Sequence, residues 1–463
     1  MSLGEAARRS IGERVFRLPE PFGKFLNPLI GGSDGSGRTQ RAALFAFLVR
    51  VVSAAIAYFS QVLLARWMGS FEYGIFVFVW VWVLILGGLA PLGFSSTTMR
   101  FVPEYRETGR LDLLRGLLVR ARVITVTAST AIALAGAACL AMFGHMLADY
   151  YLLPFFLILF CLPMYSLVDV QDGIARGYGW MDVALVPPYI LRPLLLLLAM
   201  LGVYAAGLEL SALSAAGAAV FACWVSAIVQ SVQLKKRVGA DMEPGRRAYQ
   251  TDLWVRTSLP LLLVHGFELL LQNTDILVLS RYVDPSQVGV YFAALKTISL
   301  VAFVHFAVGA AAASRFSAHN ARGERKELQG AVRDAIKWTF WPSLAGAVVL
   351  LSFGKPLLWL FGAEFTSGYP VMFVLAAGLM IRAAMGPVEI ILNMLGEQKI
   401  CAGVLFASAA LNLVLNFALI PEFGLMGAAA ATAISMAAAA GAMTLVARRR
   451  LDLDCFIWRR VPV

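Results

Sequence analysis

The chain has 463 residues, of which 60% are hydrophobic and only 14% charged, with a formal charge of +11. A water-soluble domain of this length needs a far more polar surface, so the composition excludes one and points to repeated crossings of a bilayer, whose core takes about 20 apolar residues to span. The basic residues lie between apolar segments and not on one polar face, which excludes nucleic acid as a partner and makes them an orientation signal.

Residues 1–41 carry Arg8, Arg9, Arg14, Arg17, Lys24, Arg38 and Arg41 without an apolar core or a small-residue cleavage site, so they read as a basic cytoplasmic segment and not a signal peptide. The stretch 31–37 (GGSDGSG) reads as a flexible tether. Apolar runs then predict twelve transmembrane spans, at 42–65, 73–97, 119–143, 151–169, 184–207, 211–234, 257–280, 288–313, 338–361, 370–392, 400–420 and 424–447. The architecture expected is all-α, a polytopic membrane protein of two parallel, pseudo-symmetric six-helix lobes (42–234 and 257–447). A cytoplasmic linker (235–256) joins them, and a cytoplasmic tail (448–463) follows.

Charge tests the count. Of the 39 Lys and Arg residues, 32 fall in alternate connections and the termini, while the opposite side holds only Arg66 and Arg281. A missed span would scramble this alternation, so both termini are expected in the cytoplasm. The chain also repeats. Leu64-Ala65-Arg66-Trp67 matches Leu279-Ser280-Arg281-Tyr282, and at the same offset Gly74 pairs with Gly289, Arg100 with Arg315 and Phe101 with Phe316. A repeat of six spans enters the membrane from the same side each time, which predicts an axis along the membrane normal and a pathway between the lobes. The basic segments 106–122 and 322–337 occupy equivalent places and predict short amphipathic cytoplasmic helices.

Charged side chains inside a bilayer are costly, roughly 2.5–3.5 kcal/mol on insertion scales, and face a cavity or a partner. Four cations are deep: Arg50, Arg192, Lys296 and Arg382. Arg192 sits among Pro187, Pro188 and Pro193, which bend a helix and free carbonyls beside it. On the seventh span, His265, Glu268, Gln272 and Asp275 share one face. On the tenth, Arg382, Glu389 and Asn393 do. One reading is mutual neutralisation that holds helices together. The other is a cavity with surplus positive charge for an anionic substrate such as a diphosphate, whose oxygens match arginine's two-pronged donor geometry. Glu268, Asp275 and Glu389 are the candidate ion-coupling acids. His145, His305 and His319 read as structural, and Trp80-Val81-Trp82 with Tyr150-Tyr151 as facing lipid or the interface. Cys139, Cys161, Cys223, Cys401 and Cys455 form no CxxC pair and read as packed thiols, without a zinc site. No nucleotide-binding, protease or hydrolase motif appears, so no enzyme activity and no cofactor are expected. Energy is expected from an ion gradient, the membrane potential or the substrate gradient.

Several motifs together resemble a known family. Leu64 to Gly69 (LARWMG) with Glu72-Tyr73-Gly74, and Arg100 to Tyr105 (RFVPEY), are similar to the first hairpin of the polysaccharide transporter branch of the multidrug/oligosaccharidyl-lipid/polysaccharide flippase superfamily. Asp275, Val288-Gly289-Val290-Tyr291 with Lys296, Leu357 to Gly362 (LLWLFG), Asn412 with Asn416, and Ile420 to Ala430 (IPEFGLMGAAA) extend the likeness over most of the chain. The resemblance implies a bacterial inner-membrane flippase for undecaprenyl-diphosphate-linked oligosaccharide, serving O-antigen, capsule or exopolysaccharide assembly. Membrane lipid, a polysaccharide polymerase and a chain-length regulator are the partners it implies. Lys296 and Asp275 fall at family positions, whereas Arg50, Arg192 and Arg382 rest on depth alone. The rival reading is a cation-coupled multidrug antiporter of the same superfamily, which Arg50 and the lack of an acid in the first span count against.

Overall fold

The computed structural model describes residues 35–458 and forms two compact units, Met1–Val52 and Ser53–Val463. The side chain of Arg50 lies outside the described residues. The regular elements of the described residues are all helices, with no strand among them. In chain order the helices are α1 (Gly35–Leu89), α2 (Phe94–Glu107), α3 (Leu111–Phe143), α4 (Asp149–Leu159), α5 (Leu162–Gly177), α6 (Met181–Val186), α7 (Arg192–Ala205) and α8 (Ala212–Asp241). They continue as α9 (Thr251–Tyr282), α10 (Pro285–Ile298), α11 (Ala302–Ala321), α12 (Arg325–Ser352), α13 (Gly354–Phe361), α14 (Tyr369–Met385), α15 (Val388–Met394) and α16 (Gln398–Leu451).

Among the described residues nine helical stretches are long and apolar enough to cross a membrane, and the pair α4–α5, bent by 47°, is a further candidate. The chain is thus a polytopic all-α membrane protein. Two of the long stretches contain non-helical backbone, at Gly69 in α1 (φ 77°) and Gly424 in α16 (φ 52°). In a bilayer the helices gain little from leaving one apolar solvent for another, so close van der Waals packing holds them. The buried face of α8 accordingly consists largely of alanines, from Ala212 to Ala227.

The largest buried cluster runs from Tyr58 and Phe76 in α1, through Tyr291 and Phe292 in α10, to Phe361 and Phe365. Part of it lies where the two halves of the chain meet on the side that carries Arg66 and Arg281. There a Cβ on Gly74 would lie 1.7 Å from the Pro285 carbonyl oxygen, and one on Gly289 would lie 2.9 Å from that of Ser70. Ser70 and Pro285 are themselves one repeat apart, so these are two copies of one contact. Glu364 Oε1 accepts from the Ser70 N–H at 3.0 Å, and Arg66 donates to the Trp359 carbonyl at 3.1 Å. On the other side a cleft of about 720 Å³ lies between α2 and α9, lined by Ser96, Met99, Arg100, Thr257, Pro260 and Leu261, and beyond it the two helices meet again where Trp254 Nε1 donates to Tyr105 Oη at 3.0 Å.

Several expectations are corrected. The segments 106–122 and 322–337 are not separate amphipathic helices. Most of each forms the first turns of α3 and α12, because extending an existing helix is favourable while nucleating another is not. The non-helical part of the linker is only 242–250. Pro187 and Pro188 do not break their span but are absorbed in a π-helical turn, Pro187–Leu191. Breaks fall elsewhere, at 90–93, where Leu92 and Gly93 take positive φ, and at Gly386-Pro387. Trp80 does not face lipid. It stacks on Phe76 (6.0 Å, 18°) and meets Tyr165 edge-on, because its indole face holds a cation. Cys139 is exposed, whereas the other four cysteines are buried.

Candidate substrate and ion site

A cavity of about 490 Å³ lies between α9, α10, α11, α14, α15 and α16, all in the second half of the chain and not between the two halves as expected, and it adjoins a pocket of about 250 Å³ through His305, Arg382 and Glu389. Its charged lining comes from four elements. Glu268 and Asp275 project from the polar stripe of α9, Lys296 from α10, Arg382 from α14 and Glu389 from α15. The helix break lets the last two meet. Gly386 takes φ 69° and Pro387 has no amide hydrogen, so the chain turns between them and Arg382 Nη2 lies 3.5 Å from Glu389 Oε2.

Asp275 is 2% exposed and fully engaged. It accepts from Tyr291 Oη at 2.6 Å, from the Ile276 N–H at 2.9 Å and from Thr432 Oγ1 at 3.5 Å. A buried carboxylate needs such partners. Lys296 Nζ sits 4.8 Å from the Phe292 ring centre, a cation against an aromatic face. His265 and Glu268, three residues apart on α9, bring Nδ1 and Oε2 to 3.8 Å.

The structure therefore gathers Lys296, Arg382, Glu268, Asp275 and Glu389 at one cavity. Arg192 is not among them. Its guanidinium lies over Tyr165 (4.8 Å) and Trp80 (5.8 Å), and those aromatic faces satisfy it within the first half of the chain. The expected surplus of positive charge is also absent from this lining, where three carboxylates face two cations. His305, read from the sequence as structural, lines the cavity, and so does Thr432, which the sequence reading did not single out. His305 lies nine residues beyond Lys296 but past a 3₁₀ turn at Ser299–Val301, which shifts the helical register. Thr432 sits in an alanine run with nothing to mark it.

Apolar helices broken beside a charged cavity are a feature of membrane transporters. Residues 40–316 match the family described as "Polysaccharide biosynthesis protein" and residues 260–419 match MatE. The chain belongs to that polysaccharide biosynthesis family, within the flippase branch of the multidrug/oligosaccharidyl-lipid/polysaccharide superfamily. An uncharacterized membrane protein of Methanocaldococcus jannaschii is 22% identical over 82% of this chain and 78% of its own length. The probable low-salt glycan biosynthesis flippase Agl15 of Haloferax volcanii is 26% identical over 35% of each. The fold is similar to an inward-facing multidrug resistance MATE family transporter, with TM-score 0.71 and 16% identity over 88% of this chain and 98% of the other. It is also similar to the lipid II flippase MurJ in an inward closed conformation, with TM-score 0.68 and 15% identity over 88% and 87%.

Proposed function

We propose that the chain is a flippase that moves a polyprenyl-diphosphate-linked oligosaccharide across a membrane by alternating access. The observation that carries this reading is that Lys296 and Arg382 line one cavity in a member of the polysaccharide family. Two cations from different helices suit the two phosphates of a diphosphate, with Arg382 as the forked donor. The bound headgroup competes with Glu389 for Arg382, while Glu268 and Asp275 take the coupling proton or sodium ion. The carrier is undecaprenyl, the membrane is a bacterial inner membrane with both termini cytoplasmic, and the product enters O-antigen, capsule or exopolysaccharide assembly beside a polymerase and a chain-length regulator. The backbone breaks at Gly69 and Gly424 and the bent α4–α5 pair support a count of twelve spans. The paired Gly74 and Gly289 contacts support two parallel halves. The name of the Haloferax relative points the same way.

The test is glycan export in cells carrying Arg382→Ala. Losing a charge-assisted contact to phosphate lowers transport about 10- to 100-fold, and Arg382→Lys loses less. Normal export by Arg382→Ala at wild-type abundance rejects the role. The acid excess of the cavity and the MatE match favour a second reading, a cation-coupled multidrug antiporter. In that case deletion sensitises cells to organic cations and leaves glycan export intact.

A further inference from the structure

The break that brings Arg382 to Glu389 leaves a carbonyl group to be filled. Gly386 N–H turns back to the Ala383 oxygen at 3.0 Å, and Val388 N–H goes to the Gly386 oxygen at 2.9 Å. In an unbroken helix Val388 would have served Ala384. The donor that reaches the Ala384 oxygen instead comes from the far end of the sequence, the Ile457 N–H at 3.0 Å.

That end of the chain is tied down at several points. Asp452, with φ 53°, turns the backbone out of α16. Arg325 Nη1 donates to the Leu451 carbonyl at 2.8 Å. Gln329 grips the backbone of Asp454 both ways, its Nε2 donating to the carbonyl and its Oε1 accepting from the N–H, each at 3.0 Å. Leu453 and Cys455 are 2% and 1% exposed and share a buried cluster with Val388, Ile391 and Leu392 of α15. Ile457 packs with Phe340, Ala383 and Ala384. The segment therefore touches the chain on both sides of the break.

We propose that residues 452–458 form a strap that holds the α14–α15 break and so positions the Arg382–Glu389 pair in the cavity. The strap rests on the reading above only for what that pair binds. Ile457 and Gln329 act through the pair and are positioning residues.

The test uses the full-length protein in detergent with Cys139, Cys161, Cys223 and Cys401 replaced, so that Cys455 is the one thiol. Burial pushes that thiol up to about 12, and a maleimide reaches it only when the strap lifts. Ile457→Pro removes one N–H and keeps an apolar ring. Gln329→Ala is the second variant, in case the first does not fold. Each loses hydrogen bonding at a buried site, so Cys455 labelling and amide exchange over 385–394 are expected to rise about tenfold. Affinity for undecaprenyl diphosphate is expected to fall by a similar factor, with no further fall when Ile457→Pro is placed in a Glu389→Gln background. Unchanged labelling in both variants overturns the strap, and so does faster labelling with unchanged exchange at 385–394. Faster exchange with unchanged affinity, or additive losses in the double variant, overturns the positioning role. A wild-type protein that does not bind undecaprenyl diphosphate overturns the functional reading instead, and the exchange measurement then decides the strap by itself.

Discussion

Asp275 keeps a carboxylate buried in a membrane protein because three donors converge on it, and Tyr291 Oη is the shortest of them at 2.6 Å. Tyr291→Phe leaves that oxygen short of a donor at a buried site. We expect a loss of about 1.5–3 kcal/mol, read as a lower unfolding temperature in detergent. Gly93 is constrained twice over. Its φ is 79°, and a Cβ there would lie 2.2 Å from the Ser258 carbonyl oxygen. Gly93→Ala is therefore expected to destabilise by more than about 1 kcal/mol, and unchanged thermal unfolding would contradict the close approach of α2 to α9. Depth in an apolar run was enough to mark Lys296, Arg382 and the acids of α9, because the cost of a charge in hydrocarbon is local to the residue. It misled at Arg192. The Trp80 and Tyr165 faces that hold that guanidinium come from helices far off in sequence, and no pattern around Arg192 encodes them.

Helix type follows from hydropathy, but where helices break does not. Pro187 and Pro188 are conspicuous, yet the backbone takes them up in one wide turn. Gly386-Pro387, inside an equally apolar run, breaks α14 outright because Gly386 adopts positive φ. A Cβ at Gly386 would also meet Ile336 Cγ1 at 2.6 Å, so α12 presses on the break from outside. That tertiary contact is invisible in the local sequence. The start of α8 is simpler. Ser211 and Ser214 satisfy each other's amide hydrogens in a capping box. Ser211→Ala is expected to cost about 1 kcal/mol of stability, measured by unfolding in detergent, with no effect on transport at temperatures where the protein stays folded.

Across the whole molecule, the sequence repeat corresponds to physical contact. The matched residues around 70–74 and 285–289 meet each other on the side that carries Arg66 and Arg281. The repeat was legible because residue identities recur without a gap. The contact itself was not, because it depends on packing among α1, α10 and the Phe361–Phe365 region. At this scale the two functional readings separate cleanly. A deletion strain is expected to lose surface glycan and to keep its resistance to organic cations, measured by carbohydrate staining and growth inhibition. Gly74 and Gly289 carry one further implication. The two matched contacts lie on one seam, so a residue that pries apart one of them loads the other as well. A bulkier residue at either glycine acts as a wedge in a double-leaf door, and both wedges push it the same way, toward opening of that seam.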